Sequence, residues 1–387
     1  MTSQPLSKSI FLKCCFLWTP ILLWYFTGFF FSHSYAFFHQ VDIFYYNAGQ
    51  AWLHKNALYN GQANSFVYLP TSAALFSPLS LLPLKLFEMV FRLLSLGVIT
   101  LGIFLFVRDT AKENASRIFF YSLLATVLTS QAALFVGQLH ILTTGIMLLG
   151  FSAIAREKWW QAAILLTLAL ALKPTSLILF LLAFALYPKQ LSLRLTFCAL
   201  LAFGLSFVLQ SPDYVLNQYI SFAHNFAAAM RHDGNNPQQW ATLFGAIAFY
   251  THHFIQGFPQ FLTRVLAGLC VFALCITARI KCDKQTAIYF IVTFGMCYLM
   301  LFNSRSENND YVMVAPLIGY ALSLAILQKK QSAVCAISLG IILIAFSWNI
   351  SKLITPGHNI WINPTVVLLF SFYAVYALIG CTTFTRT

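Results

Sequence analysis

The chain has 387 residues, of which 59% are hydrophobic, 17% aromatic and only 9% charged, and its mean hydropathy is +0.76. Soluble domains carry about 25% charged residues. This composition therefore excludes a soluble enzyme, a disordered chain and a receptor with a single membrane anchor. The formal net charge of +13 comes from lysines and arginines that are scattered among apolar runs, so no nucleic-acid partner is expected. The sequence predicts an all-α polytopic membrane protein.

Near the N-terminus, Lys8 and Lys13 precede an apolar run over residues 14–31. This arrangement is similar to a signal peptide, but the run is long and lacks a small-residue cleavage site. We therefore interpret it as the first membrane span.

Apolar runs close to the roughly 20 residues that cross a bilayer recur along the whole chain. They predict about twelve transmembrane helices, at residues 12–31, 86–107, 118–135, 138–155, 159–172, 174–187, 195–209, 262–278, 286–302, 311–327, 333–350 and 364–381. Lys173-Pro174 interrupts the apolar stretch 159–187, and we interpret that stretch as two short helices. A single crossing there would place the basic turns on both sides of the membrane, against the positive-inside rule.

With two crossings, the basic residues of the short turns all lie on the cytoplasmic side: Arg108, Lys112, Arg117, Arg156, Lys158, Lys189, Arg194, Arg279, Lys281, Lys284, Lys329 and Lys330. The opposite side carries two long loops, 32–85 and 210–261, whose aromatic content predicts amphipathic helices at the interface. We therefore expect residues 1–387 to form a single domain in a bacterial inner membrane, with its polar site facing outward.

The nine cysteines show no Cys-x-x-Cys spacing, which argues against a zinc site or a disulfide framework. They are interpreted as buried free thiols. Neither a cofactor nor a metal is predicted, although Asp42, Glu307 and Asp310 would offer carboxylate ligands if the fold brought them together.

Asp42 opens the first outer loop among aromatic residues that include Tyr45. A desolvated carboxylate has a raised proton affinity, which suits a general base that takes a proton from a hydroxyl. A lone Asp at such a position is more commonly a helix N-cap. Both interpretations remain open at the level of sequence.

Tyr59 and Tyr68 follow in the same loop, within a pattern of aromatic residues and prolines. Such residues can form an interfacial aromatic belt. They can equally form a stacking wall for a sugar ring or a groove for a prenyl chain.

Gln138 and His140 occupy a tight turn, and the next helix is expected to begin at about Gln138. Polar groups at a helix N-terminus can bind an anion or a sugar hydroxyl, but the same residues also suit a plain turn. Lys173 precedes Pro174, which as the first residue of a helix would leave the amide groups free beside the lysine charge. That combination suits a phosphate, and the alternative is a lysine that snorkels to the interface.

Asn236 lies in a polar stretch of the second outer loop, where a solvated loop is the alternative to a binding site. Arg305 and Asp310 belong to the turn before the tenth predicted span. The arginine suits a phosphate, and the carboxylate suits sugar hydroxyls.

Taken together, these motifs form an ordered series: Asp42 with Tyr45 and Ala48; Leu58-Tyr59; Phe66, Tyr68 and Pro70; Pro78 and Leu82-Pro83; Gly137-Gln138; Lys173-Pro174; and an Asn-rich turn before Asp310-Tyr311. In this order and spacing the sequence resembles glycosyltransferase family 87, the polyprenyl-phosphate-sugar-dependent membrane transferases of the GT-C fold. The resemblance covers most of the chain and is strongest over residues 39–185.

The resemblance implies an inverting transferase in which Asp42 deprotonates an acceptor hydroxyl. The donor would be a sugar on polyprenyl phosphate, with mannose favoured over another hexose or a pentose, and the acceptor a lipid or a glycan. Lys173, and after it Arg305, would stabilise the departing phosphate. The sequence departs from the family pattern after Tyr68, where Leu69-Pro70 retains one proline instead of two.

Two other functions compete with this interpretation. A flippase or transporter for lipid-linked sugars would also place polar residues in a bundle, but it should carry ionisable or broken helices at mid-membrane, often in two related halves. No such repeat is evident in the sequence. The second competitor is an inactive GT-C relative that serves as a scaffold.

Overall fold

The computed structural model describes residues 8–31, 41–60, 66–235, 240–355 and 360–381. Within these ranges the protein contains nineteen α-helices and no β-strand. The first ten helices are α1 Lys8–Cys15, α2 Thr19–Phe31, α3 Asp42–Leu53, α4 Pro70–Phe76, α5 Leu84–Thr110, α6 Ala115–Thr129, α7 Gln131–Phe135, α8 His140–Ala155, α9 Trp159–Leu172 and α10 Leu177–Leu186. The other nine are α11 Pro188–Leu209, α12 Pro212–Asn235, α13 Leu243–Thr251, α14 Gly257–Lys281, α15 Lys284–Phe302, α16 Ala315–Leu327, α17 Gln331–Ala345, α18 Ser347–Ile354 and α19 Ile362–Ile379.

Every predicted span overlaps an apolar helix or helix pair of the structure. Among the residues that the structure describes, six stretches are long and apolar enough to cross a membrane: Ser9–Gly28, Leu84–Thr110, Pro188–Leu209, Gly257–Lys281, Lys284–Phe302 and Ile362–Ile379. Five shorter apolar helices accompany them: Ala115–Thr129, His140–Ala155, Trp159–Leu172, Pro174–Leu186 and Ala315–Leu327. The predicted all-α membrane fold is therefore confirmed, whereas the number of twelve transmembrane helices stays a prediction.

The predicted helix break at Lys173-Pro174 is present in the structure. Lys173 is extended, and Pro174 starts a short 3₁₀ turn that leads into α10. The rings of Trp159, at the start of α9, and Tyr187, after the end of α10, lie only 5.8 Å apart. The helices α9 and α10 therefore form a hairpin with Lys173 at its tip.

The span predicted at 333–350 is not one straight helix, because the chain turns by 83° between α17 and α18. The short helix α18 has a buried face with Ser347 and Ser351, whereas Trp348 and Leu353 are exposed. Such a two-faced helix is typical of a segment that lies along a membrane surface.

Both long loops contain helices, as the sequence predicts, and the two loops contact each other. The first loop carries α3 and α4, and the second carries α12 and α13. Gln218 of α12 accepts a hydrogen bond from the backbone of Leu58 at 3.0 Å. Tyr219 of the same helix is hydrogen bonded to Thr71 at 2.7 Å. The helix α12 therefore packs over the first loop.

Several basic turns come together at one end of the bundle, which we call the basic end and define by Lys112, Glu157, Asp283 and Lys284. Lys112 bonds to Asp283 at 2.8 Å and Lys284 to Glu157 at 2.6 Å. These pairs connect the α5–α6 and α8–α9 turns to the turn between α14 and α15. The helices α3 and α4 lie at the other end, which we call the Asp42 end.

The helices α5 and α8 approach each other closely at two glycines. A Cβ atom on Gly102 would lie 2.5 Å from the Gly145 carbonyl oxygen, and one on Gly145 would lie 2.7 Å from the backbone of Ile99. Only glycine allows this spacing, so these two positions fix the separation of α5 and α8.

All nine cysteines are free, as predicted, but the expectation that all are buried is wrong. Cys14, Cys198, Cys275 and Cys297 are buried, whereas Cys270 and Cys335 are exposed on apolar helices. Such helices present small apolar side chains to lipid as readily as to the core.

Candidate active site

Asp42 is the first residue of α3 and is fully buried, with 0% of its surface exposed. It is not the helix N-cap: that position belongs to Val41, whose N–H donates to the Val136 carbonyl at 3.1 Å. Burial raises the pKa of Asp42 to about 6, although a neighbouring arginine opposes the rise. The Oδ1 atom has no hydrogen-bond partner among the residues that the structure describes. The carboxylate is therefore held with one oxygen unused.

The arginine beside Asp42 is Arg92 of α5, which the sequence interpretation missed. It is 2% exposed and pairs with Asp42 Oδ2. Its other donors reach backbone carbonyls, with Nε at 2.9 Å from Leu134 and Nη2 at 3.0 Å from Phe135. A lone arginine inside a predicted span is by default a functional-site candidate, so the signal was present in the sequence.

Gly137 closes over Asp42 from the turn before α8. Its φ is +69°, and a Cβ atom there would lie 2.6 Å from the Asp42 carboxyl carbon. Only glycine combines this backbone conformation with that approach. The expected start of the following helix at Gln138 is wrong by two residues, because the glycine turn delays α8 until His140.

Tyr45, one helical turn after Asp42, is fully buried between aromatic rings. Its ring stacks on Phe76 at 5.0 Å, and its hydroxyl lies 3.4 Å from the Tyr68 hydroxyl. Tyr59 donates a hydrogen bond to the Tyr68 carbonyl at 2.6 Å. The three tyrosines predicted from the first loop are thus brought together, and they form one wall of the site.

Lys173 reaches this wall from the tip of the α9–α10 hairpin and is 6% exposed. Its Nζ lies 3.5 Å from the Tyr68 hydroxyl and 3.3 Å from His140 Nδ1. It also lies 5.4 Å from the Tyr68 ring centroid, within cation–π range. The side chain is therefore turned into the bundle, and it does not snorkel outward.

His140 connects Lys173 to Asp310, because its Nδ1 also lies 2.9 Å from Asp310 Oδ1. Burial alone would raise the pKa of Asp310, but His140 and Lys173 together hold it below its usual value. Asp310 Oδ2 accepts from the backbone N–H of Glu307 at 2.9 Å, in the capping box of the Asn308–Met313 turn. Lysine, histidine and aspartate thus form a buried cluster around His140 Nδ1.

Gln138 donates a hydrogen bond to Glu307 Oε2 at 3.2 Å, which places Glu307 in the same cluster. Burial and the nearby Asp310 raise the pKa of Glu307. Within the described ranges, no group of three histidine, cysteine or acidic side chains is arranged to hold a metal ion.

The two remaining predicted residues lie elsewhere. The Arg305 guanidinium is stacked over the Trp240 ring at 4.7 Å, close enough for its charge to act on Glu307. Asn236 lies outside the residues that the structure describes.

The arrangement brings together the parts that acyl or glycosyl transfer requires. A buried carboxylate with a free oxygen can accept a proton. A buried lysine beside a histidine offers positive charge and a hydrogen-bond donor to a phosphate oxygen. The tyrosine wall links the two groups, because Tyr45 follows Asp42 by one turn of α3 and its hydroxyl lies 3.4 Å from that of Tyr68, which lies 3.5 Å from Lys173 Nζ.

The sequence matches a known protein family over much of its length. The profile described as glycosyltransferase family 87 matches residues 66–304, more than half of the chain. That match includes Tyr68, Gln138, His140 and Lys173, but it begins after Asp42 and ends before Arg305. No curated protein matches the sequence at significant similarity.

Among solved structures, the crystal structure of ArnT from Cupriavidus metallidurans in the apo state is similar, with 14% sequence identity and a TM-score of 0.38. The likeness covers 94% of this chain and 77% of ArnT. The family match, together with the apolar helices, identifies the chain as a member of glycosyltransferase family 87 and an integral membrane glycosyltransferase.

Proposed function

We propose that the protein is an inverting glycosyltransferase that moves a sugar from polyprenyl phosphate to a lipid or glycan acceptor, with Asp42 as the general base. The acceptor hydroxyl gives its proton to Asp42 Oδ1 while its oxygen attacks the anomeric carbon. The bond between that carbon and the phosphate oxygen breaks, and the lipid phosphate leaves with the electron pair. The observation that carries the proposal is the buried, unpartnered Oδ1 of Asp42.

Lys173 and His140 receive the departing phosphate in this proposal. Both are buried, and their side-chain nitrogens lie 3.3 Å apart. A cation in such a water-poor site stabilises developing negative charge far more than it would in water. The lipid phosphate needs this help because it already carries one negative charge and gains a second as the sugar departs.

The chemistry takes place at the outer face of a bacterial inner membrane, since the basic end would then face the cytoplasm. A donor that carries its own leaving phosphate needs no nucleotide-binding domain, and no Rossmann or P-loop motif occurs in the sequence. Mannose remains the favoured sugar on the family resemblance. Because Asp42 is fully buried, the packing over it must open for the acceptor to reach Oδ1.

The proposal is tested by mass spectrometry of envelope glycolipids and glycans from cells that lack the gene. Wild-type complementation should restore one defined sugar, and Asp42→Asn should restore none of it, because removal of a general base lowers transfer by about 10²- to 10⁴-fold. Asp283→Asn, which removes a carboxylate from the basic end, is the matched control and should restore the sugar fully.

Full restoration by Asp42→Asn would remove Asp42 as the base. Accumulation of the complete lipid-linked sugar on the inner leaflet, with transfer chemistry intact, would instead support the flippase interpretation. Equal membrane levels of the three proteins, measured by immunoblot, ensure that the comparison concerns chemistry.

A further inference from the structure

Arg92 occupies an unusual position, because its charge is buried in the interior of a mostly apolar helix, one turn after the buried carboxylate of Glu88. The helix α5 is long enough to span a membrane, and a charged side chain there is costly unless it is fully paired. Its guanidinium donates to Asp42 Oδ2 and to the carbonyls of Glu88, Leu134 and Phe135. These acceptors belong to three separate segments, namely α3, α5 and α7.

We propose that Arg92 is the positioning residue for the general base: its guanidinium engages Asp42 Oδ2 and thereby presents Oδ1 to the acceptor hydroxyl. This inference rests on the proposed function. Arg92 does not touch the substrate in this scheme, and it acts only through the carboxylate.

The geometry favours this role over a purely structural one. Nε and Nη2 of Arg92 already attach α5 to the carbonyls of Leu134 and Phe135. The bond from Nη1 to Asp42 is therefore additional to what helix packing requires. It fixes the carboxylate against the Gly137 turn, where a Cβ atom would overlap the Asp42 side chain. Two rigid contacts on one side of the carboxylate leave only Oδ1 to react.

Arginine is the residue suited to this task. Its planar fork presents donors in several fixed directions, so that one side chain holds a carboxylate and two carbonyls at once. Lysine is a flexible point charge, and it would supply the charge without the orientation. The Arg92 charge also opposes the rise in the Asp42 pKa that burial causes, whereas the charge of Glu88, one turn before Arg92 on α5, adds to that rise. The net result is a pKa of about 6, which keeps the base ionised near neutral pH.

During the reaction the proton arrives on Oδ1 while Oδ2 remains bonded to Arg92. The pair then changes from an ion pair to a neutral carboxyl beside a cation. No further group has to move, because the backbone carbonyls continue to solvate the guanidinium.

The test compares Arg92→Met and Arg92→Lys with the wild type in purified full-length protein, using polyprenyl-phosphate mannose as the donor and the acceptor fraction from cells that lack the gene. For the wild type, kcat should fall on the acidic side with a midpoint near pH 6, where Asp42 becomes protonated. Arg92→Met removes the opposing charge, so this midpoint should move upward by about 1–3 pH units. KM should change little.

Arg92→Lys retains the charge and should keep the midpoint within about half a pH unit. It loses the planar guanidinium that orients the Asp42 carboxylate, so kcat on the pH plateau should fall by about tenfold to a hundredfold. Arg264→Met is the matched control, since Arg264 is a partly buried arginine near the start of α14 that stacks on Phe244. It should leave the midpoint unchanged.

A loss of kcat in Arg92→Met that is uniform across pH would overturn the inference, because it would show a structural role alone. Wild-type kcat in Arg92→Lys would overturn it as well. If activity is absent, infrared spectroscopy tests the pairing of Arg92 with Asp42 without substrate. The carboxyl band of Asp42 is identified as the one that Asp42→Asn removes. That band should titrate at higher pH in Arg92→Met than in the wild type. If the wild type transfers no sugar at all, the proposed function fails, while this titration still tests the pairing.

Discussion

The Asp42 end and the basic end of the bundle both carry ion pairs, but in opposite surroundings. At the basic end the side chains of Lys112 and Asp283 are 44% and 28% exposed. At the Asp42 end the corresponding values are 2% for Arg92 and 0% for Asp42. Exposed pairs are worth about 0–1 kcal/mol, because water and salt screen them. Buried pairs carry a desolvation cost that often exceeds their attraction.

The difference in exposure of these ion pairs indicates that the two ends have different roles. The pairs at the basic end are tolerated by the fold, and their loss leaves solvated charges. The pairs at the Asp42 end cost free energy to bury, so their retention calls for a reason other than stability. Chemistry that requires charge in a water-poor site supplies that reason.

After Asp42→Asn, the largest loss of sugar transfer is expected for a substitution at Lys173. Lys173→Met keeps the length of the side chain and removes the charge 3.3 Å from His140. We expect kcat to fall by about 10²- to 10³-fold, as it does when a group that stabilises a leaving oxygen is lost. Lys112→Met is the control in the same kinetic assay of sugar transfer. Equal rates for Lys173→Met and the wild type would exclude Lys173 from the phosphate site.

A smaller effect is expected at Gly137, where packing and not charge is changed. Gly137→Ala puts a methyl group against the Asp42 carboxylate in a backbone conformation that side chains avoid. We expect a loss of about 1–3 kcal/mol in the free energy of unfolding, together with reduced transfer. Thermal unfolding in detergent measures the first quantity and the transfer assay the second.

Gly97→Ala is the control for that change, because a Cβ atom on Gly97 would have no neighbour within 4 Å. It should be neutral or slightly stabilising, since glycine in a helix interior weakens the helix. If the two variants unfold at the same temperature and transfer equally well, the Gly137 turn does not constrain Asp42.

The smallest effect is predicted at the basic end itself. Lys112→Met breaks the pair with Asp283 and should lower the free energy of unfolding by at most about 1 kcal/mol. Sugar transfer should be unchanged. A loss of transfer comparable to that of Lys173→Met would remove the distinction between the two ends, and kinetics of both variants on one preparation of membranes provide that check.

Hydropathy and proline placement predict most of the apolar helices from the sequence. The break at Lys173 follows from Pro174, which cannot continue a helix, and the structure has that break. The 83° bend at Phe346 was not predicted, because no proline or glycine marks it and tertiary packing determines it.

Prediction of the site was less complete, because its contacts join distant parts of the chain. The sequence indicates single candidate residues such as Asp42, Tyr45 and Lys173. It does not single out Arg92, which lies within the predicted span 86–107. Its partner lies 50 positions away, and no local spacing reveals that pairing. The cluster of Lys173, His140 and Asp310 likewise depends on long-range packing.

The close approach of α5 and α8 at Gly102 and Gly145 also limits which substitutions the protein can accept. Arg92 lies about 15 Å along α5 from Gly102, and His140 lies about 8 Å along α8 from Gly145. The two glycines therefore act as a spacer for the distance between the helices that carry these two side chains. Side chains in the loops, such as Tyr59, can be exchanged to suit a new acceptor while that distance is inherited unchanged. A methyl group at either glycine would overlap the backbone of the neighbouring helix and push α5 and α8 apart. The site would then change although none of its polar side chains had been replaced.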